Sequence, residues 1–430
     1  MIIQLIILLV ATFIILISLA YIKTHQNYII QKYKFFKDKK NQESYTKKNN
    51  NQKGILNSIK KFFTNDYIIY NKSKLSKEKS FTVLSYNILA QKYLHKIVKE
   101  NNFLEKNIRI NNIINEIEQI NPEIFCLQEV THDIINSYIK KYFEKNYKII
   151  FRENEGSSLI NVIGVKKSRF EILSEANVII CDEKLKKILN EEEDQDSFFS
   201  NKILVDGNRG IINVCIKDKL MKDKIINLFC VHFPWRPVFE YQKARIMGLI
   251  FELILRKKIP NVIIAGDFNS IPNSILLRMV YYKDWEAEMT QNLEYMKGFK
   301  FNKNESELIK NTLDKMDKRE NFEIIINYLM KISKEIWDKY RIKSAYDNHR
   351  NEIKDEKFGF LRNHPKYTNY TYKFIDTIDY IFYSKSLVKL KILKLPDIEK
   401  EKKGKDKIFL PNENHPSDHL KLAVNFEYKI

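Results

Sequence analysis

Cysteine is scarce and unpaired in this chain: Cys126, Cys181, Cys215 and Cys230 show no C-x-x-C or similar spacing. That absence speaks against a zinc site and against a disulfide framework. All four lie in apolar stretches that read as strands, so small buried thiols in a reducing compartment are expected. Acidic charge is also in deficit, with Asp+Glu 54 against Lys+Arg 74 and a net charge of +20. The surplus would attract a polyanion such as RNA or an anionic bilayer face. The same chain is crowded with Lys, Asn, Ile, Tyr and Phe, the residues of AT-rich codons, so composition accounts for a share of it.

Charge is missing altogether from residues 2–22, which are dominated by Ile, Leu, Val and Phe. A run of that length matches a helix crossing a hydrocarbon core. A cleaved signal peptide would place its basic residues first and end on a small-residue cleavage site. Here Lys23, Lys32, Lys34, Lys37, Lys39 and Lys40 follow the apolar run. The asymmetry predicts an uncleaved single-pass transmembrane anchor over 1–22, with the rest of the chain in the cytosol. Residues 23–79, rich in Lys, Asn, Gln and Ser and without internal repeat, read as a basic flexible linker with an aromatic patch at 67–70.

From 80 to 430 short apolar runs alternate with amphipathic helical patterns, as one α/β or α+β sandwich domain requires. Strands are expected at 81–86, 124–127, 161–165, 211–216, 225–231, 262–265, 377–382 and 420–426. Helices are expected at 103–120, at 239–255 and over much of 308–340. Polar segments at 182–201 and 291–341 read as insertions, the second helical.

The informative residues stand where the apolar strands stop, the position at which α/β folds place their chemistry. Asn87 follows Val83–Tyr86; Gln128 and Glu129 follow Ile124–Leu127; Gly266-Asp267-Phe268-Asn269 follows Val262–Ala265. Asp379 follows Ile375–Ile378, His232 follows the 225–231 strand, and Asp418-His419 follows Pro416-Ser417. Singly, each of these is an ordinary cap, turn or surface residue. Together they offer the oxygen ligands that Mg²⁺ prefers and the groups that phosphodiester hydrolysis needs. Glu129 can hold the metal, with Asn87 and Asp418 as further ligands. Asp267 can orient or deprotonate water, Asn269 and His232 can contact the phosphate, and His419, held by Asp379, can stabilise the developing charge.

Five strings carry a family resemblance: LSYNILAQ from Leu84, FCLQEV from Phe125, GDFNSIPNS from Gly266, TIDYIFYSKS from Thr377 and HPSDHL from His415. In this order and spacing the chain resembles the endonuclease/exonuclease/phosphatase superfamily. Within it, the chain is similar to the deadenylase-like branch of poly(A)-shortening nucleases, nocturnin, Angel and 2′,5′-phosphodiesterase. The resemblance implies a four-layer α/β sandwich with two packed mixed sheets between helices, and the catalytic roles given above. KSAYDN from Lys343 and YTNYTYKF from Tyr367 resemble the branch's adenine-binding stretch. That likeness implies base contacts by Asn369 and Phe374, with Pro237, five residues after His232, packing on the base. Cys230, where many relatives carry Asn, and Glu155-Gly156, where many carry Asp-Gly, depart from the pattern.

The function so implied is that of a Mg²⁺-dependent or Mn²⁺-dependent 3′–5′ exoribonuclease acting on RNA with an adenylate 3′ end, tethered to a membrane by its N-terminal helix. A 2′,5′-oligoadenylate phosphodiesterase and a membrane-bound lipid or inositol phosphate hydrolase are the alternatives.

Overall fold

Runs such as Val262–Ile263–Ile264–Ala265 leave no face of a strand polar, and such strands are stable only in a sheet covered on both sides. The computed structural model describes residues 67–69, 79–97, 105–151, 158–173, 177–179, 211–221, 224–235, 240–272, 274–281, 319–347, 364–403, 406–412 and 414–429.

Two large mixed sheets make up the body. The first runs in the order β1 (Tyr67–Ile69), β15 (Leu387–Leu393), β18 (Leu422–Tyr428), β2 (Ser80–Asn87), β3 (Ile124–Val130), β5 (Ile160–Lys166), β4 (Tyr147–Phe151). The second runs in the order β11 (Lys343–Ser344), β14 (Asp379–Tyr383), β10 (Asn261–Asp267), β9 (Ile225–His232), β8 (Ile211–Asp218), β6 (Phe170–Ile172), with β7 (Asn177–Ile179) also on β8. Two small hairpins, β12 (Asn369–Tyr370) with β13 (Ile375–Asp376) and β16 (Lys402–Lys403) with β17 (Asp406–Lys407), stand apart. Only β2 with β3 and β9 with β10 pair in parallel among the described strands, so one parallel pair lies near the middle of each sheet.

Alternate residues of each strand point to opposite faces, and three apolar clusters fill the resulting layers. Phe81, Val83, Ile124 and Cys126 of the first sheet meet Val214, Leu228, Cys230, Ile263 and Ala265 of the second. On the outside of the first sheet Leu84, Tyr86, Phe125 and Leu127 pack against Ile110, Ile113 and Ile117. Those isoleucines line one stripe of α2 (Lys106–Ile120), which follows α1 (Gln91–Ile97). Asn121 ends α2 in the left-handed region, its N–H bonded to the Ile117 carbonyl. On the outside of the second sheet Phe229, Val231, Val262 and Ile264 pack against α3 (Glu240–Lys257), α4 (Ile275–Val280) and α5 (Arg319–Tyr340) through Met247, Ile250, Leu276, Leu329 and Ile336. Each fully buried side chain of this kind contributes about 1.5–3 kcal/mol.

Several boundaries differ from the sequence reading for physical reasons. The first sheet takes in Tyr67–Ile69, which pairs antiparallel with Leu393–Lys391 and so is not linker. The described part of the 291–341 segment is α5, whose Leu329, Ile332 and Ile336 are buried, making it a layer of the fold and not an appendage. β15 carries little strand signal in the sequence because Lys389 and Lys391 alternate with its apolar residues. Cys126, Cys215 and Cys230 are buried free thiols. Cys181, the 182–201 segment and the apolar run 2–22 lie outside the described residues. Among the described residues no helix is long and apolar enough to cross a membrane.

Gly266 precedes Asp267 with φ +154°, and a Cβ there would lie 1.9 Å from the Val231 carbonyl oxygen of the neighbouring parallel strand. Backbone cannot yield as a side-chain tip can. Gly266→Ala is expected to cost about 2 kcal/mol, read as a lowered melting temperature, and to depress activity by displacing Asp267.

Candidate active site

Strand register does most of the assembly. Asp267 ends β10 between His232 of β9, its partner in the parallel ladder, and Asp379 of β14, its partner in the antiparallel ladder. In the other sheet Asn87, the last residue of β2, pairs with Gln128 near the end of β3. Because the two sheets stack face to face, these ends meet. The Asn87 amide nitrogen donates to Asp267 Oδ2 at 3.0 Å and to Glu129 Oε1 at 3.4 Å. His232 Nε2 lies 3.5 Å from Asp267 Oδ2 and 3.8 Å from Glu129 Oε1.

Glu129 reaches this point through irregular backbone. The β3–β5 register slips between Leu127 and Val130, and Glu129 sits in the slip with φ 59°. A bulge of this sort re-aims a side chain that regular pleating would send elsewhere. Its second oxygen accepts from Ala90 N at 3.0 Å. Asn269 is also left-handed, φ 47°; its N–H caps Asp267 Oδ1 at 2.8 Å and its amide donates to the Phe233 carbonyl. Asn269 therefore braces Asp267 through its main chain while its side chain ties the loop after β9.

His419 supplies the positive charge. Its Nδ1 meets Asp379 Oδ2 at 2.8 Å, and its Nε2 faces Asp267 Oδ2 at 3.8 Å and Asp418 Oδ1 at 4.0 Å. Burial alone would lower the imidazole pKa, but Asp379, Asp418 and Asp267 outweigh it and hold the group well above its usual value. Asp267 moves the other way from an ordinary carboxylate: burial, with Asp379 adding to it against the opposing pull of His419, pushes it up to about 7. Asp418 is likewise raised, by burial first and by Glu129 next. The site thus sets a carboxylate of raised pKa beside an imidazole of raised pKa, a pairing of the kind that general acid–base chemistry can use.

The sequence-predicted residues fall into three groups. Asn87, Glu129, His232, Asp267, Asp379 and His419 come together as described. Asp418 and Asn369 pair with each other, Asn369 Nδ2 donating to Asp418 Oδ2 at 3.3 Å, and Asn369 bridges His419 through the backbone. Phe374 closes the β12–β13 hairpin, 42% exposed, beside the exposed Tyr372 and Ile375. Pro237 lies outside the described residues.

Sequence reasoning missed the supports. Thr368 Oγ1 accepts from the N–H groups of Ile378 and Asp379 at 3.0 Å each, setting the start of β14. Lys243, fully buried in α3, donates to the Asn269 carbonyl at 2.5 Å and to Glu240 Oε1 at 2.7 Å, fixing the turn after Asp267. Ser417 Oγ donates to the Asn87 carbonyl at 2.7 Å. Arg109 is fully buried on the apolar stripe of α2, four residues before Ile113. A cation on such a stripe was the one signal the sequence did carry.

The donor set fits a hard divalent cation. Asp267, Asp379 and His419 bring ligand atoms within 4.8 Å of one another. His419 is already committed through Nδ1 to Asp379, and one amide of Asn87 gathers an oxygen of Glu129 and one of Asp267. A buried carboxylate raised to about 7 by desolvation is a group that an added cation would relieve.

Two stacked mixed sheets flanked by helices thus carry carboxylates, amides and histidines at one set of strand ends, an arrangement suited to hydrolytic chemistry at a phosphate. The chain's relatives include proteins named as CCR4-type 3′-5′-exoribonuclease subunits and as an angel homolog. The chain is 26% identical over 384 residues to carbon catabolite repressor protein 4 homolog 4 of Arabidopsis thaliana, covering 81% of this chain and 78% of that protein. It is 25% identical over 384 residues to the CCR4-Not complex 3′-5′-exoribonuclease subunit Ccr4 of Candida albicans, 81% of this chain but 41% of that one. It thus spans less than half the length of that subunit. Protein angel homolog 2 of Danio rerio is 24% identical, covering 83% of this chain and 66% of that one. Among solved structures, ANGEL2, a 2′,3′-cyclic phosphatase, superposes with TM-score 0.57 at 21% identity, over 84% of this chain and 97% of that one. The human nocturnin catalytic domain superposes with TM-score 0.51 at 17% identity, over 85% and 98%. These superpositions establish the fold. No family model matches the chain.

Because the folded pKa of Asp267 lies above the unfolded value, folding favours its proton and stability is lost as pH rises from about 4 towards about 7. In chelator, Asp267→Asn is therefore expected to melt several degrees above wild type at pH 8, the gain fading towards pH 4. A variant that melts lower at every pH would contradict the assigned strain.

Proposed function

We propose that the chain is a Mg²⁺-dependent 3′–5′ exoribonuclease that shortens adenylate-ended RNA and releases 5′-nucleotides. The observation that carries this reading is the convergence on Asp267 of His232, Asn87 and the His419–Asp379 pair. Glu129 would hold the cation, with Asn87 and Asp418 beside it; Mn²⁺ takes the same oxygen donors. When bound, the metal neutralises charge on the phosphate as it is attacked.

The remaining work belongs to the chain. Asp267 accepts the proton of the attacking water. Protonated His419, oriented by Asp379, donates from Nε2 to the developing phosphate charge, with His232 as a second donor. The bond broken is that between phosphorus and the 3′ oxygen of the preceding nucleotide, which leaves as an alkoxide and takes its proton from solvent.

Recognition of the terminal base is assigned to the β12–β13 hairpin, where the half-exposed Phe374 offers a stacking face and Asn369 keeps its amide oxygen for the base edge. Pro237 is assigned the opposite face on its spacing from His232. Relatives named as 3′-5′-exoribonuclease subunits support RNA as the substrate. The uncharged run 2–22 and the lysines after it support a single-pass anchor with the 80–430 domain on the cytosolic side.

Purified full chain with Mg²⁺ is expected to degrade 5′-labelled oligoadenylate to a ladder, and Glu129→Gln to slow it about 100-fold or more. Phe374→Ala should raise KM about tenfold with kcat little changed. Parallel reactions with 2′,5′-oligoadenylate, 2′,3′-cyclic-ended RNA and sphingomyelin or phosphoinositide vesicles discriminate the substrate. Lipid headgroup release without RNA shortening would sink the reading.

A further inference from the structure

Arg109 is completely buried on α2, and among the described residues no carboxylate forms an ion pair with it. Taking an arginine out of water without a counter-ion is costly unless every donor finds an acceptor. Here the guanidinium is spent on backbone. Nη1 donates to the carbonyls of Ile88 at 2.7 Å and Pro416 at 3.1 Å, Nη2 to the carbonyl of Leu89 at 2.7 Å, and Nε to Gln91 Oε1 at 3.1 Å.

The carbonyls it holds belong to two loops far apart in the sequence, one at Ile88 and Leu89 and one at Pro416, that carry the two halves of the site. One loop begins at Asn87, whose side-chain oxygen accepts from Leu89 N at 3.0 Å, and continues to Ala90, whose N–H binds Glu129 Oε2 at 3.0 Å. Leu89 sits at φ 54°, a left-handed conformation that a leucine adopts only when its surroundings enforce it. The other loop runs from Pro416 through Ser417, which donates to the Asn87 carbonyl at 2.7 Å, to Asp418 and His419. The charge lies behind the carboxylates: burial lowers the arginine's pKa, while Tyr86, Asp418 and Glu129 raise it.

We propose that Arg109 is a positioning residue of the hydrolytic site, a clamp that fixes the Asn87–Ala90 turn, and with it Glu129, against the Pro416–His419 loop. The proposal rests on the hydrolytic reading above. No substitute repeats the arrangement: lysine keeps the charge but lacks the planar fork that reaches three carbonyls at once, and methionine keeps the bulk but leaves those carbonyls without donors.

The test uses the full chain with Arg109→Lys and Arg109→Met, measuring oligoadenylate cleavage and the melting shift induced by Mg²⁺. Both variants are expected to lose about 100-fold in kcat, with KM within about threefold because the Phe374 hairpin is untouched. The Mg²⁺ concentration giving half the melting shift should rise at least about tenfold, a change that general destabilisation does not produce. Lysine variant values equal to wild type in kcat and Mg²⁺ midpoint, with only a lower melting temperature, would overturn the clamp. Should both arginine variants aggregate, Gln91→Leu, which frees Nε alone, is expected to lower kcat about fivefold at near-native melting temperature; unchanged kcat there overturns the proposal as well. If wild type cleaves no RNA, the functional reading falls, and the Mg²⁺ midpoint of the melting shift still decides the role of Arg109.

Discussion

A carboxylate without water around it has to be held by something, and in this protein that carboxylate is Asp267. Its solvation is replaced by the Asn87 amide, the Asn269 N–H and the facing imidazoles of His232 and His419. Each of these partners is placed by a different element, so the burial of one side chain makes demands on both sheets. The same desolvation that costs stability lifts its proton affinity towards neutrality, and so function and strain have one origin.

The sheets satisfy those demands by register. Parallel pairing of β9 with β10 and antiparallel pairing of β10 with β14 leave His232, Asp267 and Asp379 in a row at one edge. Apolar interdigitation between Leu228, Cys230, Ile263 and Ala265 on one side and Val83, Ile124 and Cys126 on the other sets that row against Asn87 and Glu129. A close-packed interior permits little sliding, which is why the row keeps its place without a covalent tether. Regular strands alone would misdirect two of the residues. The bulge at Glu129 and the left-handed turn at Asn269 correct the aim, and buried Lys243 and Arg109 hold the carbonyls of the turns that follow.

In the proposed reading, recognition and catalysis rest on different principles. The carboxylates, amides and histidines at the strand ends are mostly buried and mutually bonded, whereas Phe374, Tyr372 and Ile375 stand exposed on a two-stranded hairpin joined to them by the Asn369–Asp418 bond and the Asn369–His419 bridge. A change of ligand preference can therefore arise on the hairpin without disturbing the carboxylates. The overall charge of +20 is a weaker guide to substrate than this local arrangement, because it reflects lysines spread along the whole chain.

The alternation of apolar runs and amphipathic stretches was enough to indicate two layers of sheet and helix, and the polar residues at the strand ends were legible because each interrupts an apolar run. The convergence of Asn87, Glu129, His232, Asp267, Asp379 and His419 could be anticipated from that placement, since strands of one sandwich end at a common rim. Other features left little or no trace in the linear pattern. The recruitment of Tyr67–Ile69 into a sheet depends on a partner strand more than three hundred residues away. Asn369 turned out to be paired with Asp418, which only the folded hairpin could reveal. Arg109 stands out in the sequence only as a cation on an apolar stripe; its four acceptors come from burial beneath two distant loops. Sequence alone determined which apolar runs go inside and which chemical groups interrupt them, because hydrophobicity and side-chain functional groups are local properties. Tertiary structure decided which of them share a proton, a cation or a hydrogen bond, because those interactions act over a few ångströms between residues the chain itself keeps far apart.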